Sequence, residues 1–221
     1  MGDKSKAATF QKKETLEEKS RRSLDSIHSV IQEGDLIVRL GDDLLSEQIR
    51  YLSEKDQSFS HAGIIIEKEG KKWVCHIAPD EIGADTVRYD PIDSFINPKK
   101  NILCGIYRYD ISTLEKDSFL TNLKQYHASN AVFDRRYDLG TDDKIYCSEM
   151  IAKSLKRATH NRIVFKEAVL PKKLLPFMYA YFKNENATRK EIAERKYISI
   201  DNLYLMPQCT QVLKLPVKFF P

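Results

Sequence analysis

Two strand-like runs joined by a short polar stretch most strongly restrict what this chain folds into. The first, residues 60–66, reads SHAGIII, and the second, residues 73–77, reads WVCHI; Gly70 lies between them. Runs rich in β-branched residues on either side of a glycine-containing turn are typical of paired antiparallel strands. The sequence therefore predicts a β-hairpin over residues 60–77.

This hairpin carries one histidine on each strand, His61 and His76. A two-residue loop at Lys68-Glu69 would pair the histidines directly, and a loop at Glu69-Gly70 would make them diagonal neighbours on one face. An odd-numbered loop would place them on opposite faces. An even-numbered loop therefore predicts adjacent imidazoles; the alternative is that each histidine is an ordinary hydrogen-bonded residue of the sheet.

A second informative stretch is residues 146–150, YCSEM, where a loop turns into a helix. Ile151 and Leu155 follow Cys147 by four and eight residues and share its helix face. Unpaired N–H groups and the helix dipole favour a thiolate in the first turn, so we expect a lowered pKa and a nucleophilic sulfur. The alternative is a buried cysteine that only fills the helix face.

Together these three residues have the composition of a cysteine hydrolase site. His61 would take the thiol proton and later protonate the leaving group, while His76 would hold the tautomer of His61. A zinc site is the competing interpretation, because histidine and cysteine both bind zinc. The chain has neither an H-E-x-x-H motif nor paired cysteines, so we expect no metal and no cofactor.

Composition and pattern predict one domain with an N-terminal extension. In 221 residues, an amphipathic helix over residues 8–33 forms the extension (1–33), and residues 34–221 form the domain. Strands cluster early and helices are inserted without a βαβ rhythm, which indicates an α+β fold with a mainly antiparallel sheet packed against helices. Further strands are predicted near residues 197–205 and 211–215.

Charge and apolar content narrow the partners. A net charge of +4 without a basic stripe argues against nucleic acid. No apolar run approaches the roughly 18 residues of a membrane span. The first residues lack the apolar core of a signal peptide, so we expect either a cytoplasmic protein or an exported one, in the periplasm or cell envelope, whose signal has been removed. The oligomeric state stays open.

The motifs resemble the YiiX/YebB-like group of circularly permuted NlpC-type papain-like cysteine hydrolases. The resemblance runs over roughly residues 34–160, from the first strand at residues 34–37, through the SHAG strand and Val74-Cys75-His76, to Tyr137-Asp138 and the YCSE helix start. In this group the histidine strand precedes the nucleophile helix, the reverse of papain. The resemblance implies Cys147 as nucleophile and His61 as base.

The chain departs from this group at the third catalytic position, where the group often has a glutamate and this chain has His76. A His-His-Cys set is similar to lecithin retinol acyltransferase-like enzymes, which act on lipid acyl chains. Histidine there supplies no fixed negative charge for an imidazolium. The oxyanion would be bound by the Cys147 N–H and one further donor; Tyr137, Tyr146 and Ser60 are candidates for that contact or for the pocket wall.

The resemblance implies acyl transfer to water through a thioester. We expect cleavage of an amide bond in a peptide or peptidoglycan fragment, close to a membrane or cell wall. The alternatives are a lipid acyl hydrolase or acyltransferase of the lecithin retinol acyltransferase-like type, and a binding module that has kept the pocket and lost turnover.

Overall fold

The structure, a computed structural model, describes residues 14–79 and 85–221. Its helices are α1 (Leu16–Val30), α2 (Leu44–Arg50), α3 (Ile92–Phe95), α4 (Thr113–Ala128), α5 (Cys147–Ala158), α6 (Leu175–Tyr181) and α7 (Arg189–Ala193). Its strands are β1 (Leu36–Gly41), β2 (His61–Lys68), β3 (Lys71–His76), β4 (Arg88–Pro91), β5 (Asn101–Tyr109), β6 (Val132–Phe133), β7 (Lys144–Ile145), β8 (Ala168–Val169), β9 (Lys196–Tyr197) and β10 (Cys209–Pro216).

Six of these strands form one antiparallel sheet in the order β10-β5-β1-β2-β3-β4. The pairs β6–β7 and β8–β9 form two separate two-stranded ladders. Helices pack on both faces of the large sheet. The predicted α+β class with a mainly antiparallel sheet is confirmed.

Alternation along the central strands divides the core into two layers. Leu36, Val38 and Ile64 face the larger layer, which also contains the buried side of α4 and α5. Ile37 and Ile65 face the smaller layer with α1 and α3. Because successive strand residues point to opposite faces, continuous apolar runs such as that of β2 are buried on both sides.

Helix α1 belongs to the smaller layer, on the face of the sheet opposite α5. It begins with a capping box at Thr15 and Glu18, and its Ile27, followed by Ile31, is buried against the sheet. The predicted helix over residues 8–33 thus includes Leu16–Val30, and the predicted part before residue 14 lies outside the described residues. Within the described residues, no helix has both the length and the apolar character needed to cross a bilayer.

The C-terminal part of the chain differs from the prediction. The strand expected near residues 197–205 is wrong: β9 ends at Tyr197, and a 3₁₀ turn occupies Asp201–Leu203. The buried Asp201 carboxylate accepts the Lys55 N–H at 2.7 Å, which holds this turn in place. The strand expected at residues 211–215 is confirmed as β10, which pairs with β5 at the edge of the sheet.

Candidate active site

The site lies where the two strands of the β2–β3 hairpin stop pairing. The loop of this hairpin is Glu69-Gly70, because Lys68 pairs with Lys71, and the ladder ends at Ile64–Cys75. On its other side β2 continues to pair with β1 as far as His61, opposite Arg39. On the side away from β2, β3 pairs with β4, and this pairing continues past the end of the β2–β3 ladder, with His76 opposite Arg88. The diverging strands leave an opening beside residues 61–63.

The two predicted histidines meet at this opening. His61 Nε2 lies 2.9 Å from His76 Nδ1, and both side chains are buried. Gly63 makes this contact feasible, because a Cβ at this position would lie 2.4 Å from Val74 Cγ1 and 3.2 Å from His76 Cβ. The imidazoles are therefore diagonal neighbours, as the even-numbered Glu69-Gly70 loop predicts.

A carboxylate that the sequence did not reveal completes this row of side chains. Asp90 on β4 lies with its Oδ2 2.9 Å from His76 Nε2 and 3.4 Å from Arg88 Nε. His76 itself supplies no fixed negative charge, as expected, but Asp90 supplies one that reaches His61 through His76. The hydrogen bond to His76 also lowers the pKa of Asp90, which keeps the carboxylate charged.

Cys147 is the first residue of α5, and its thiol points into the opening of the hairpin. The backbone N–H groups of Ala62, Ser148 and Cys147 itself face the Sγ and act to lower the pKa of its thiol. Ala62 directly follows His61, and its N–H is available because the β2–β3 ladder ends at Ile64. Among the hydrogen bonds of the described residues, none joins this thiol to His61 or His76 in the resting structure.

The pKa values of Cys147 and His61 differ from the sequence-based expectation. Burial raises the pKa of the Cys147 thiol, although the Ala62 and Ser148 N–H groups and the Arg39 charge act in the opposite direction. Burial, followed by the Arg39 charge, lowers the pKa of His61 well below its ordinary value. The expected lowered pKa of Cys147 is therefore wrong, because desolvation outweighs the effect of the helix start. Both shifts favour the uncharged forms of the Cys147 thiol and the His61 imidazole.

Cys147 and His61 line a cavity of about 540 Å³. One wall is aromatic and comes from the loop before α5 and from α6; another is polar and comes from β1 and β4. The side chains that form the walls include Arg39, Arg88, Phe133, Tyr137, Tyr146, Tyr181 and Tyr197. A cavity of this size falls in the range that holds small-molecule or short-peptide ligands.

The three candidates for oxyanion contacts or the pocket wall, Ser60, Tyr137 and Tyr146, all line this cavity. The Ser60 hydroxyl is engaged with the β1 backbone: it accepts the Gly41 N–H at 3.2 Å. The Tyr137 hydroxyl is hydrogen-bonded to Tyr181. The structure therefore places all three at the cavity and gives each hydroxyl an existing hydrogen-bond partner, which for Tyr146 is the Ile198 N–H.

Ser148 and Tyr146, the residues on either side of Cys147, fix the start of α5. The Ser148 hydroxyl donates to the Ile198 carbonyl at 2.7 Å, and the Ile198 N–H donates to the Tyr146 hydroxyl at 2.8 Å. Residues 198–200 consequently form part of the cavity wall. The C-terminal segment thus both positions the helix start and completes the pocket.

Glu149 acts on the same helix start from inside the core. Its Oε2 accepts the Tyr146 N–H at 3.4 Å, and its Oε1 lies 2.8 Å from Lys153 Nζ. Burial raises the pKa of this carboxyl to about 7. Glu149 lies on the buried face of α5 and does not line the cavity, in agreement with a structural role.

Three contributors to the site escaped sequence analysis: Asp90, Arg39 and the Ala62 N–H. Asp90 lies in a four-residue strand that the pattern did not reveal, although Arg88 and Asp90 alternate as strand residues do. Arg39 occupies a predicted strand, but nothing in the sequence identified its neighbour as His61. The Ala62 donor depends on where a ladder ends, and no residue type signals that.

Comparisons with known proteins agree with the geometry. The family model of permuted papain-like amidases of the YaeF/YiiX type, the C92 family, matches residues 30–209. The crystal structure of the metalloprotein YiiX from Escherichia coli O157:H7 is similar with a TM-score of 0.64 and 23% identity, over 86% of this chain and 98% of that chain. At this identity the likeness concerns the fold alone, and the predicted permuted papain-like fold is confirmed. No curated protein matches.

Proposed function

Since this chain belongs to the YaeF/YiiX family of permuted papain-like amidases, we propose that it is a cysteine hydrolase that cleaves an amide bond in a peptide or peptidoglycan fragment. One observation carries the proposal. Cys147, whose thiol faces the Ala62 N–H, shares a cavity large enough for a substrate with His61, the first member of a hydrogen-bonded row that continues through His76 to Asp90.

The proposed reaction begins with the neutral pair. His61 takes the thiol proton as the sulfur attacks the scissile carbonyl carbon, which gives a tetrahedral intermediate and an imidazolium. His76 accepts a hydrogen bond from that imidazolium while it donates one to the Asp90 carboxylate. The fixed negative charge of Asp90 thereby stabilises the positive charge that develops on His61.

The intermediate's oxyanion needs donors already aimed at the reacting centre. We propose the backbone N–H groups of Cys147 and Ala62, which both contact the resting sulfur. The imidazolium then protonates the amine as the C–N bond breaks, which leaves a thioester on Cys147. His61 next takes a proton from water, whose oxygen attacks the thioester carbonyl and releases the acid and the free thiol.

The similar YiiX structure is described as that of a metalloprotein, but no step of the mechanism proposed here uses a metal ion. Within the described residues, no group of three His, Cys, Asp or Glu side chains is placed to hold a metal ion. The facing nitrogens of His61 and His76 are bonded to each other, and the remaining nitrogen of His76 is bonded to Asp90. These donors fit a proton relay better than a metal site.

A lipid substrate is the second candidate, and one observation favours it. Leu44 is 86% exposed and Leu45 is 45% exposed, and Leu45 also lines the cavity. Apolar side chains at a cavity mouth could contact an acyl chain. The same assay can therefore compare peptide and lipid amides or esters.

The test is to trap the acyl-enzyme. The protein is mixed with peptide amides, peptidoglycan fragments and lipid acyl donors, quenched in acid, and weighed by intact-protein mass spectrometry. We expect a mass increase equal to the substrate's acyl group on Cys147, with release of the amine, and neither event in Cys147→Ala. Binding of a substrate without acylation or turnover would instead support the binding module.

A further inference from the structure

Arg39 is a half-buried cation whose binding capacity is only partly used. It lies on β1 directly opposite His61, with its guanidinium 5.0 Å from the Phe95 ring. Its Nη1 donates to Asn101 Oδ1 at 2.5 Å, but its Nε is buried without a hydrogen-bond partner among the described residues. Arg39 also lines the cavity next to Cys147.

The nearby carboxylates are already engaged elsewhere. Asp43 caps α2, where it accepts the Ser46 N–H at 2.8 Å and the Ser46 hydroxyl at 2.7 Å. Asp90 is engaged by His76 and Arg88. Across the ranges 14–79 and 85–221, Arg39 forms no ion pair with an acidic side chain. A charge that is partly removed from water and has no such partner opposes folding, so its presence beside Cys147 needs another explanation.

The remaining charges of the cavity favour the same sign of ligand. Arg88, Lys100 and Arg135 also line it, whereas Asp43 is the one acidic residue among the described side chains that line it. Arg88 and Arg135 form ion pairs with Asp90 and Asp85, respectively. Arg39 therefore has the guanidinium best placed to receive an anion that enters from solvent.

We propose that Arg39 binds a carboxylate of the substrate, so that the amides cleaved here carry a carboxylate close to the scissile carbonyl. A guanidinium matches a carboxylate with two parallel N–H···O bonds, and Nε with one Nη forms such a fork. Arg39 lies opposite His61 on the paired strand, and both line the cavity together with Cys147, so this anchor lies in the same pocket as the carbon that the sulfur attacks. The inference rests on the proposed function of Cys147.

Iodoacetate and iodoacetamide test the anchor, because they are nearly identical alkylating reagents that differ in charge. Each forms an S–CH₂ bond at Cys147 with loss of iodide, and both meet the same thiolate population. The ratio of their rates therefore reports anion binding and cancels any change in thiol pKa. We expect the iodoacetate-to-iodoacetamide ratio to fall about tenfold in Arg39→Gln, the factor that ~1.4 kcal/mol corresponds to.

Two further variants serve as controls for the loss of positive charge in Arg39→Gln. Lys71→Gln removes one positive charge from the exposed end of β3, far from the cavity, and should change the ratio less than about twofold, as expected for a screened surface charge. Arg39→Lys keeps the charge but not the fork, and should fall between the wild type and Arg39→Gln. An equal ratio in the wild type and Arg39→Gln, with both proteins folded by circular dichroism, would overturn the anchor.

A second measurement does not depend on thiol reactivity. Glutarate, compared with glutaramide at equal ionic strength, should raise the thermal midpoint of the wild type and of Lys71→Gln but not of Arg39→Gln. Equal midpoints in glutarate and glutaramide for the wild type would overturn the anchor. If Cys147 proves unreactive toward iodoacetamide while glutarate still stabilises the wild type, the hydrolase proposal fails and the anion site stands.

Discussion

The two ends of the β2–β3 hairpin differ in what their backbone groups do. At the closed end, Lys68 pairs with Lys71 around Glu69-Gly70, and residues 69–71 are exposed. At the open end, pairing stops at Ile64–Cys75 and the side chains are buried. One hairpin therefore holds both a fully paired turn and a strand end with free donors.

This difference shows where an antiparallel sheet can carry chemistry. A complete ladder uses every N–H and C=O within it, so it has nothing left for a ligand. At the open end, the Ala62 N–H faces the Cys147 sulfur, and the pairing of β3 with β4 brings His76 to Asp90. The comparison predicts that changes at the open end affect activity, while changes at the closed end affect only stability.

The largest expected effect is at the open end. His61→Ala removes the proposed base, and we expect amide hydrolysis to fall roughly 10²- to 10⁴-fold, the usual contribution of a general base. Lys71→Ala, at the closed end of the same hairpin, should leave the rate unchanged. Rates of amine release at saturating substrate measure both. A His61→Ala rate within threefold of the wild type would contradict the assigned role.

The next effect tests whether Asp90 acts through His76. Asp90→Asn removes the carboxylate charge, which should lower kcat/KM about tenfold, or ~1.4 kcal/mol of transition-state stabilisation. Without that charge the pKa of His61 falls further, so the base stays deprotonated to lower pH and the acid limb of the profile moves to lower pH. A lower plateau with an unmoved limb would mean that Asp90 is merely structural.

The closed end and the adjacency of the histidines could be predicted from sequence because both follow local rules. Gly70 supports a left-handed backbone, and strand alternation then places His61 and His76 on one face. The position of Cys147 at a helix start was readable for the same reason. Each of these features depends on residues that are close in sequence.

The rest of the site depends on contacts between distant segments. Asp90 reaches His76 only because β4 pairs with β3, and Ile198 holds Tyr146 from 52 residues away. The pKa of Cys147 was predicted in the wrong direction because the helix start is local whereas burial is a property of the assembled cavity. Sequence patterns therefore give the candidates, and packing decides their partners and charge.

The pH dependence of stability provides a further test of the open end. The pKa values of His61 and His76 are lowered in the folded state, mainly by burial. Their contribution is fully present above the unfolded pKa of about 6.5 and is lost as the pH falls toward the folded values, by ~1.4 kcal/mol for each pH unit that separates the folded pKa from the unfolded one. As the pH is lowered from about 6.5, the free energy of unfolding of the wild type should therefore decrease relative to that of His61→Gln.

The variant must be compared with the wild type at each pH, because another group titrates in this window with the opposite sign. Burial raises the pKa of Glu149 to about 7, so its contribution to stability is lost as the pH rises toward that value. Glu149 is present in both proteins and cancels in the difference. Urea unfolding at pH 5, 6, 7 and 8 gives this difference, and a constant value across the series would contradict buried neutral histidines.

The smallest effects are expected at the closed end, and they should leave activity untouched. Glu69 and Gly70 have φ values of 55° and 69°, the left-handed pair that a type I′ turn requires. A Cβ at Gly70 would meet nothing within 4 Å, so Gly70→Ala should destabilise only through its backbone, by about 1 kcal/mol. Glu69→Asn should stabilise by a few tenths of a kcal/mol, because asparagine adopts this conformation readily. Thermal unfolding measures both changes in stability. Both substitutions alter the closed end of the hairpin and not its open end. A rate of amide hydrolysis that changed with either one would mean that the two ends are coupled through β2 and β3.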